Sequence, residues 1–368
     1  MAKILEAAAL RHDLHEIPEL GLNLPKTYAY VTKKLDEIGV EPHRCGKYGI
    51  VAEIRGEEPG PVLALRADMD ALPFVQEGKH VCIHACGHDA HTSMLLAAAS
   101  RMVGRVKKGT LKLLFQPGEE TLDGALEMIE NHAIDDVDII IGAHIRPLQD
   151  LPAGTCCAAV NHSASCPTFV TVHGKSCHAS RPHLGNSALY MGTSIVQAAN
   201  AFWLDPRTAW SIKATQFHAD QGAVNSVPDK CTIGFDMRAA TNEDMDAAKA
   251  MIKRVAEHVS AAMGGTAEVT YGGFCPAAVY DDDVKEVIAG VIREQLGDAA
   301  LAPECGGGGE DFHHFKLHKP SIKAGYFGVG VAAAPGLHNA TLHFDEKYLD
   351  MGVKVWLGLV DHYLGLKK

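Results

Sequence analysis

Three stretches, PVLALRADMD (61–70), LKLLFQPGEE (111–120) and VDIIIGAHIRP (137–147), run almost unbroken in apolar residues and then turn to charged groups or histidine. A strand with one face in water alternates polar and apolar residues, whereas a strand apolar throughout is buried on both faces. Burying both faces requires a sheet layered between helices. The intervening segments PKTYAYVTKKLDEIGV, HTSMLLAAASRMVGRV and DGALEMIENHA supply those helices. The fold class predicted is therefore α/β, a mixed sheet flanked by helices.

Around residue 165 the pattern changes. CPTFVTVHG reads as a strand, NSALYMGTSIVQAANAF as a helix, AWSIKATQFHAD and KCTIGFDMRAA as consecutive strands, NEDMDAAKAMIKRVAEHVSAAM as a helix and TAEVTYGGF as a last strand. The order βαββαβ is that of a ferredoxin-like α+β unit, complete in itself. After residue 275 the first pattern resumes, with a helix, a Gly-rich segment, the strand AGYFGVGV and a closing helix. The economical organisation is one discontinuous domain, 1–164 with 275–368, carrying an inserted domain at 165–274.

A formal charge of −11 argues against a nucleic-acid partner, which requires a basic footprint. No apolar run reaches the length of a membrane span. The N-terminal MAKILEAAALRHDLHEIPEL meets charged residues too early for a secretory core, so a cytoplasmic protein is expected. Ten cysteines are scattered without a CxxC, which fits reduced thiols, most of them small buried hydrophobes.

Polar groups collect where the strands end: Asp68 and Asp70, Glu119 and Glu120, His144. In α/β sheets ligands bind at the carboxyl ends of strands. The octet HACGHDAH (84–91) precedes a helix and puts Cys86 and His88 at its N-terminus; GLHNATLHFDE adds His338 and His343, and all these groups are expected in loops. Each has a bland alternative, as a buried thiol, a solvated turn, a core histidine or a cap. Together they suit a borderline cation such as Zn²⁺, Mn²⁺, Co²⁺ or Ni²⁺. A redox role for Cys86 lacks a resolving cysteine at CxxC spacing.

LRHDLHEIPELG, ALRADMDALP, HACGHDAHT, LLFQPGEE, GAHIRP, CHASRPHLG, NSVPD and GLHNATLHFDE follow one another from residue 10 to 346. In these the chain resembles the di-metal amidohydrolase and metallopeptidase family of aminoacylase-like carboxypeptidases. It is most similar to the branch of hippurate hydrolases, N-acyl-amino-acid amidohydrolases and plant auxin-conjugate hydrolases. The resemblance implies a catalytic domain with an inserted lid, and two divalent ions held by Cys86, His88, Glu120, His144 and His338. It implies Glu119 as general base for a metal-activated water that cleaves the amide of an N-acyl amino acid. Asp70 is read as orienting a ligand histidine, with Asp89 and His91 behind Cys86 and His88 as ligands.

In the inserted domain the resemblance implies that His178 stabilises the oxyanion, reaching across from the lid of a partner subunit in a homodimer. Asn225 and Arg238 would hold the substrate's carbonyl or carboxylate, a task that suits the planar guanidinium fork. The chain departs from the family pattern at GLHNATLHF, which replaces the usual Ser-Pro after the ligand histidine, and in a shorter approach to the octet. Glu310 and Asp311, closing ECGGGGED, are read as lining the pocket or capping the next helix. The alternatives are a metallo-dipeptidase or carboxypeptidase with the same residues, and a non-catalytic metal- or ligand-binding relative.

Overall fold

The computed structural model describes residues 3–368. The chain forms two compact units, one from residues up to 161 together with 279–368, the other from 162–278.

The first unit is built on an eight-stranded sheet. Its centre is four parallel strands in the order Lys108–Gln116, Glu58–Asp68, Ile139–Pro147, Lys323–Ala333. The strand pair Pro42–Cys45 and Gly49–Arg55 extends one edge; the short strands Cys156–Cys157 and Leu301–Ala302 extend the other. Successive residues of the apolar strands go to different cores. Leu63, Leu65, Leu111, Leu113, Ile139 and Ile141 join one apolar cluster, while Ala64, Leu114 and Ile140 join a second. That is the period-2 geometry of a strand with both faces covered.

Helices His88–Ser100 and Leu349–Leu364 contribute to the first cluster, Gly124–Glu130 and His313–His318 to the second. Every residue of His88–Ser100 is buried, which accounts for its lack of a polar face. A hairpin of Leu72–Gln76 with Lys79–Ile83, turning through Glu77 and Gly78 at positive φ, precedes the octet. Two central turn residues with φ > 0 make the type I′ turn that suits strand twist.

The second unit has its strands in the order Trp210–His218, Lys230–Ala239, Thr168–His173, Thr266–Tyr271, antiparallel throughout. Helices Ala188–Asn200 and Asn242–Ala262 pack on one face through Met191, Ile195, Met245, Ala248 and Ile252. Both helices start at a hydroxyl cap, Ser187 and Thr241, each accepting a hydrogen bond from a first-turn N–H.

Candidate metal centre

The site is assembled from chain segments that leave the carboxyl ends of the central parallel strands. Helix His88–Ser100 begins at His88, and its N-cap Gly87 sits at φ 88°. A Cβ there would run into Ile145 Cδ1 and lie 2.6 Å from Ile145 Cγ1, so glycine is required for both conformation and space. The close approach brings Cys86 and His88 against the strand Ile139–Pro147. Cys86 Sγ lies 3.4 Å from His144 Nε2.

Beyond the strand Glu58–Asp68, the Asp70 carboxylate does three things. It faces His88 Nδ1 at 3.2 Å and accepts the backbone N–H groups of Glu119 and Glu120, both at 3.1 Å. One side chain therefore fixes the His88 ring and the turn that carries the glutamate pair. With Nδ1 engaged, His88 presents Nε2, which lies 3.8 Å from both Glu119 Oε2 and Glu120 Oε1. His338, at φ 61°, donates its backbone N–H to Ala85 O and reaches Glu120 Oε1 with Nε2 at 3.5 Å.

Two histidines of the region are used differently. His144 Nδ1 lies 2.5 Å from Ile145 O, leaving Nε2 toward Cys86. His91 has neither nitrogen to spare: Nδ1 is 2.6 Å from Asp68 Oδ1, and Nε2 accepts the N–H of Ile145 at 2.9 Å. Asp68 is itself bonded by Arg66, a fully buried guanidinium that also holds Gln116, Glu310 and Asp311. Glu310 and Asp311 thus belong to a buried ionic network, and each also accepts a backbone N–H at a helix start, Glu310 that of Phe312 and Asp311 that of Ala125.

Among the described residues five sets of ligand atoms lie within 4.8 Å of one another: Cys86, His88 and His144; Cys86, Glu120 and His338; His88, Glu119 and Glu120; Asp68, His88 and His91; and Glu119, Glu310 and Asp311. The first two share Cys86, so the thiol stands between two groups of donors. His88 Nε2 and Glu120 Oε1 are buried without a hydrogen-bond partner among the described residues. A buried polar atom left unsatisfied is destabilising by roughly 1–3 kcal/mol. A divalent cation held here would satisfy both atoms.

Charge tells the same story. Burial, with Glu120 alongside, pushes the Cys86 thiol well above its usual range, although His88 opposes this. Burial, with Glu310, Asp311 and Glu120 nearby, likewise holds Glu119 well above the ordinary carboxylate range. Burial and the neighbouring His91 and Arg146 keep His144 neutral. A neutral imidazole is what a metal binds, and a bound cation inverts the preference of the thiol. The donor set of thiolate, imidazole and carboxylate fits a borderline divalent ion.

The expectation that all these groups lie in loops is corrected in two places. His88 is the first residue of a helix, and His144 lies inside its strand, facing Cys86 because side chains alternate along the strand. Sequence reasoning passed over Arg66 as a working part of the site, although it placed Asp68 at the strand end beside it. An arginine within an otherwise apolar strand was the available signal, since such a residue is seldom buried unless paired.

In the second unit, Cys177–His178 pairs with Ser226–Val227, and Ala179 N–H bonds Asn225 O, so His178 and Asn225 are neighbours. His178 Nδ1 accepts from Ser180 N and contacts Ser180 Oγ at 2.8 Å. Arg238 lies elsewhere, near the far end of Lys230–Ala239, opposite Ser165, with Nε donating to Asp236.

The family model of peptidase family M20/M25/M40 matches residues 64–362. The chain is 33% identical over 344 residues to the N-acetyl-L-cysteine deacetylase of Bacillus subtilis, covering 87% of this chain and 79% of that protein. It is 28% identical over 381 residues to the hippurate hydrolase of Campylobacter jejuni, covering 98% of this chain and 97% of that protein. Among solved structures, a dinuclear metal-binding peptidase of the M20 family from Bacillus subtilis aligns with a TM-score of 0.81 at 25% identity, over 97% of both chains. The likeness extends over fold and sequence along nearly the whole chain. The chain belongs to peptidase family M20/M25/M40 and is a metal-dependent hydrolase of amide bonds.

Proposed function

We propose that the chain releases an amino acid from an N-acyl amino acid, with Glu119 as general base and two divalent ions held by Cys86, His88, Glu120, His144 and His338. The observation that carries this reading is the pair of orphaned buried atoms, His88 Nε2 and Glu120 Oε1, facing each other at 3.8 Å beside Glu119. Deacylation as the reaction class is supported by the relatives named for N-acetylcysteine and hippurate.

When bound, the ions supply Lewis acidity, polarising the scissile carbonyl and acidifying water. The protein residues do the rest. Glu119 takes the proton of the attacking water and returns it to the leaving nitrogen, a task suited to a carboxyl whose pKa is raised by burial and by Glu310 and Asp311. Asp70 keeps His88 and the glutamate turn in register. On the second unit, His178 and Asn225 serve the oxyanion and carbonyl, and Arg238 the substrate carboxylate.

The test is Glu119→Gln. Turnover of a panel of N-acetyl, N-benzoyl and dipeptide substrates falls by at least roughly 10²–10⁴-fold, the range for a general base. Metal content by elemental analysis stays at the wild-type level. An active Gln variant removes Glu119 from the role. A panel cleaved only at dipeptides replaces deacylation with peptidase activity.

A further inference from the structure

We infer that Cys157 and Cys305 are a modification site: a thiol pair that a hydroperoxide oxidises to a reversible disulfide. The two residues are 148 positions apart in sequence, and their sulfurs lie 3.5 Å from each other. Both are buried; Cys305 retains 8% exposure, and Cys157 none. A disulfide bond is about 2.05 Å long, so the sulfurs need to close by about 1.5 Å.

The pair is chemically asymmetric. Cys157 can place its proton on Ala159 O, 3.2 Å away, or on the sulfur of Cys305. Arg146, whose Nε is buried with no hydrogen-bond partner among the described residues, lies beside Cys305, and its Nη2 donates to Gly306 O at 2.9 Å. The hydrogen bond from Cys157, aided by Arg146 against burial, brings the Cys305 thiol down to about 7. The same hydrogen bond, together with burial, drives Cys157 the other way. Cys305 is therefore the attacking thiolate and Cys157 the resolving thiol. The adjacent Cys156 is excluded from either role, since it lies on the other face of its strand, in the other apolar cluster.

The steps balance. The Cys305 thiolate attacks one oxygen of hydrogen peroxide; an S–O bond forms, the O–O bond breaks and hydroxide leaves, taking up a proton. Cys157 then attacks the sulfur of the Cys305 sulfenic acid; an S–S bond forms, the S–O bond breaks, and water leaves with the Cys157 proton. Two thiols and one hydrogen peroxide become one disulfide and two waters, and a dithiol reductant reverses the change. Flexibility comes from the run Gly306–Gly309 behind Cys305, where Gly306 and Gly308 have open space around them. Neither cysteine belongs to the metal centre, so oxidation here is separable from loss of the Cys86 thiolate.

The experiment treats the metal-loaded protein with a small excess of hydrogen peroxide, quenches, denatures in chelator and counts thiols before peptide mapping by mass spectrometry. Wild type loses two of its ten thiols. The map joins the peptide of Cys157 to that of Cys305, and dithiothreitol restores both. Cys156→Ser still forms the link; Cys157→Ser and Cys305→Ser do not. A wild-type map with both residues reduced, with Cys305 carried to sulfinic acid unlinked, or with the link made by Cys156 overturns the proposal. The wild-type map decides without any variant, should a serine substitution fail to fold.

Discussion

At the residue scale, the difference between a ligand histidine and a supporting one is which nitrogen is left over. His88 and His144 each commit Nδ1, to Asp70 and to Ile145 O, and keep Nε2. His91 commits both, to Asp68 and to the N–H of Ile145, the residue that follows His144. His91 is thus a positioning residue for His144, whose ring it also meets edge-on at 4.3 Å. His91→Leu is expected to weaken metal binding roughly 10–100-fold, as loss of a ligand's hydrogen-bonding support commonly does. His91→Gln, whose amide can both donate and accept, retains most of it. Cobalt titration of metal-free protein, followed by thiolate absorption, checks this; equal losses in the two variants refute it. The thiol pair gives a pH prediction at the same scale. The reactive form of Cys305 is the thiolate, so disulfide formation slows as pH falls below about 7 and levels off above it. Thiol counts over a pH series report the midpoint, and a midpoint near 9 assigns the attack to an ordinary thiol.

At the element scale, the junction before helix His88–Ser100 is the point where backbone geometry and site geometry meet. Gly87→Ala places a Cβ at positive φ and against Ile145, so a loss of about 1–3 kcal/mol is expected. Thermal unfolding measures it, and metal content falls too because His88 is displaced with the turn. The sequence made this element easy to foresee but not its start. HTSMLLAAAS reads as a buried helix with His88 close to its N-terminus, yet nothing in the octet says which residue is the first helical one. The apolar strands were legible because burial on both faces leaves an unbroken run. Short strands such as Cys156–Cys157 and Leu301–Ala302 were not, since two residues carry no period and their pairing depends on partners more than a hundred positions away. The glutamate pair was legible as a motif; the Asp70 carboxylate that holds both of its N–H groups was legible only as a candidate orienting group. The Arg66 network escaped because its members, 66, 68, 116, 310 and 311, meet only in the folded chain.

At the scale of the whole molecule, the second unit sets a constraint on how its residues can be used. The ladder of Thr168–His173 with Lys230–Ala239 begins at His173 opposite Lys230 and is continued by Cys177–His178 opposite Ser226–Val227. His178 and Asn225 therefore lie beyond the Lys230 end of the sheet. Arg238 is eight residues further along the same strand, roughly 26 Å away at about 3.3 Å per residue. A small N-acyl amino acid does not span that distance. If His178 and Arg238 both serve one substrate, they come from two copies of the chain. Glu119→Gln and His178→Ala proteins are each expected to be nearly inactive alone. In a mixed dimer, one site combines an intact Glu119 with the partner's intact His178, and activity recovers toward one quarter of wild type, on the order expected for random exchange and one good site per heterodimer. The check is a mixing assay with subunit exchange verified by mass-tagged chains. Verified exchange without recovery assigns His178 to its own subunit's site or to no site, and the sheet geometry then removes Arg238 from the same substrate.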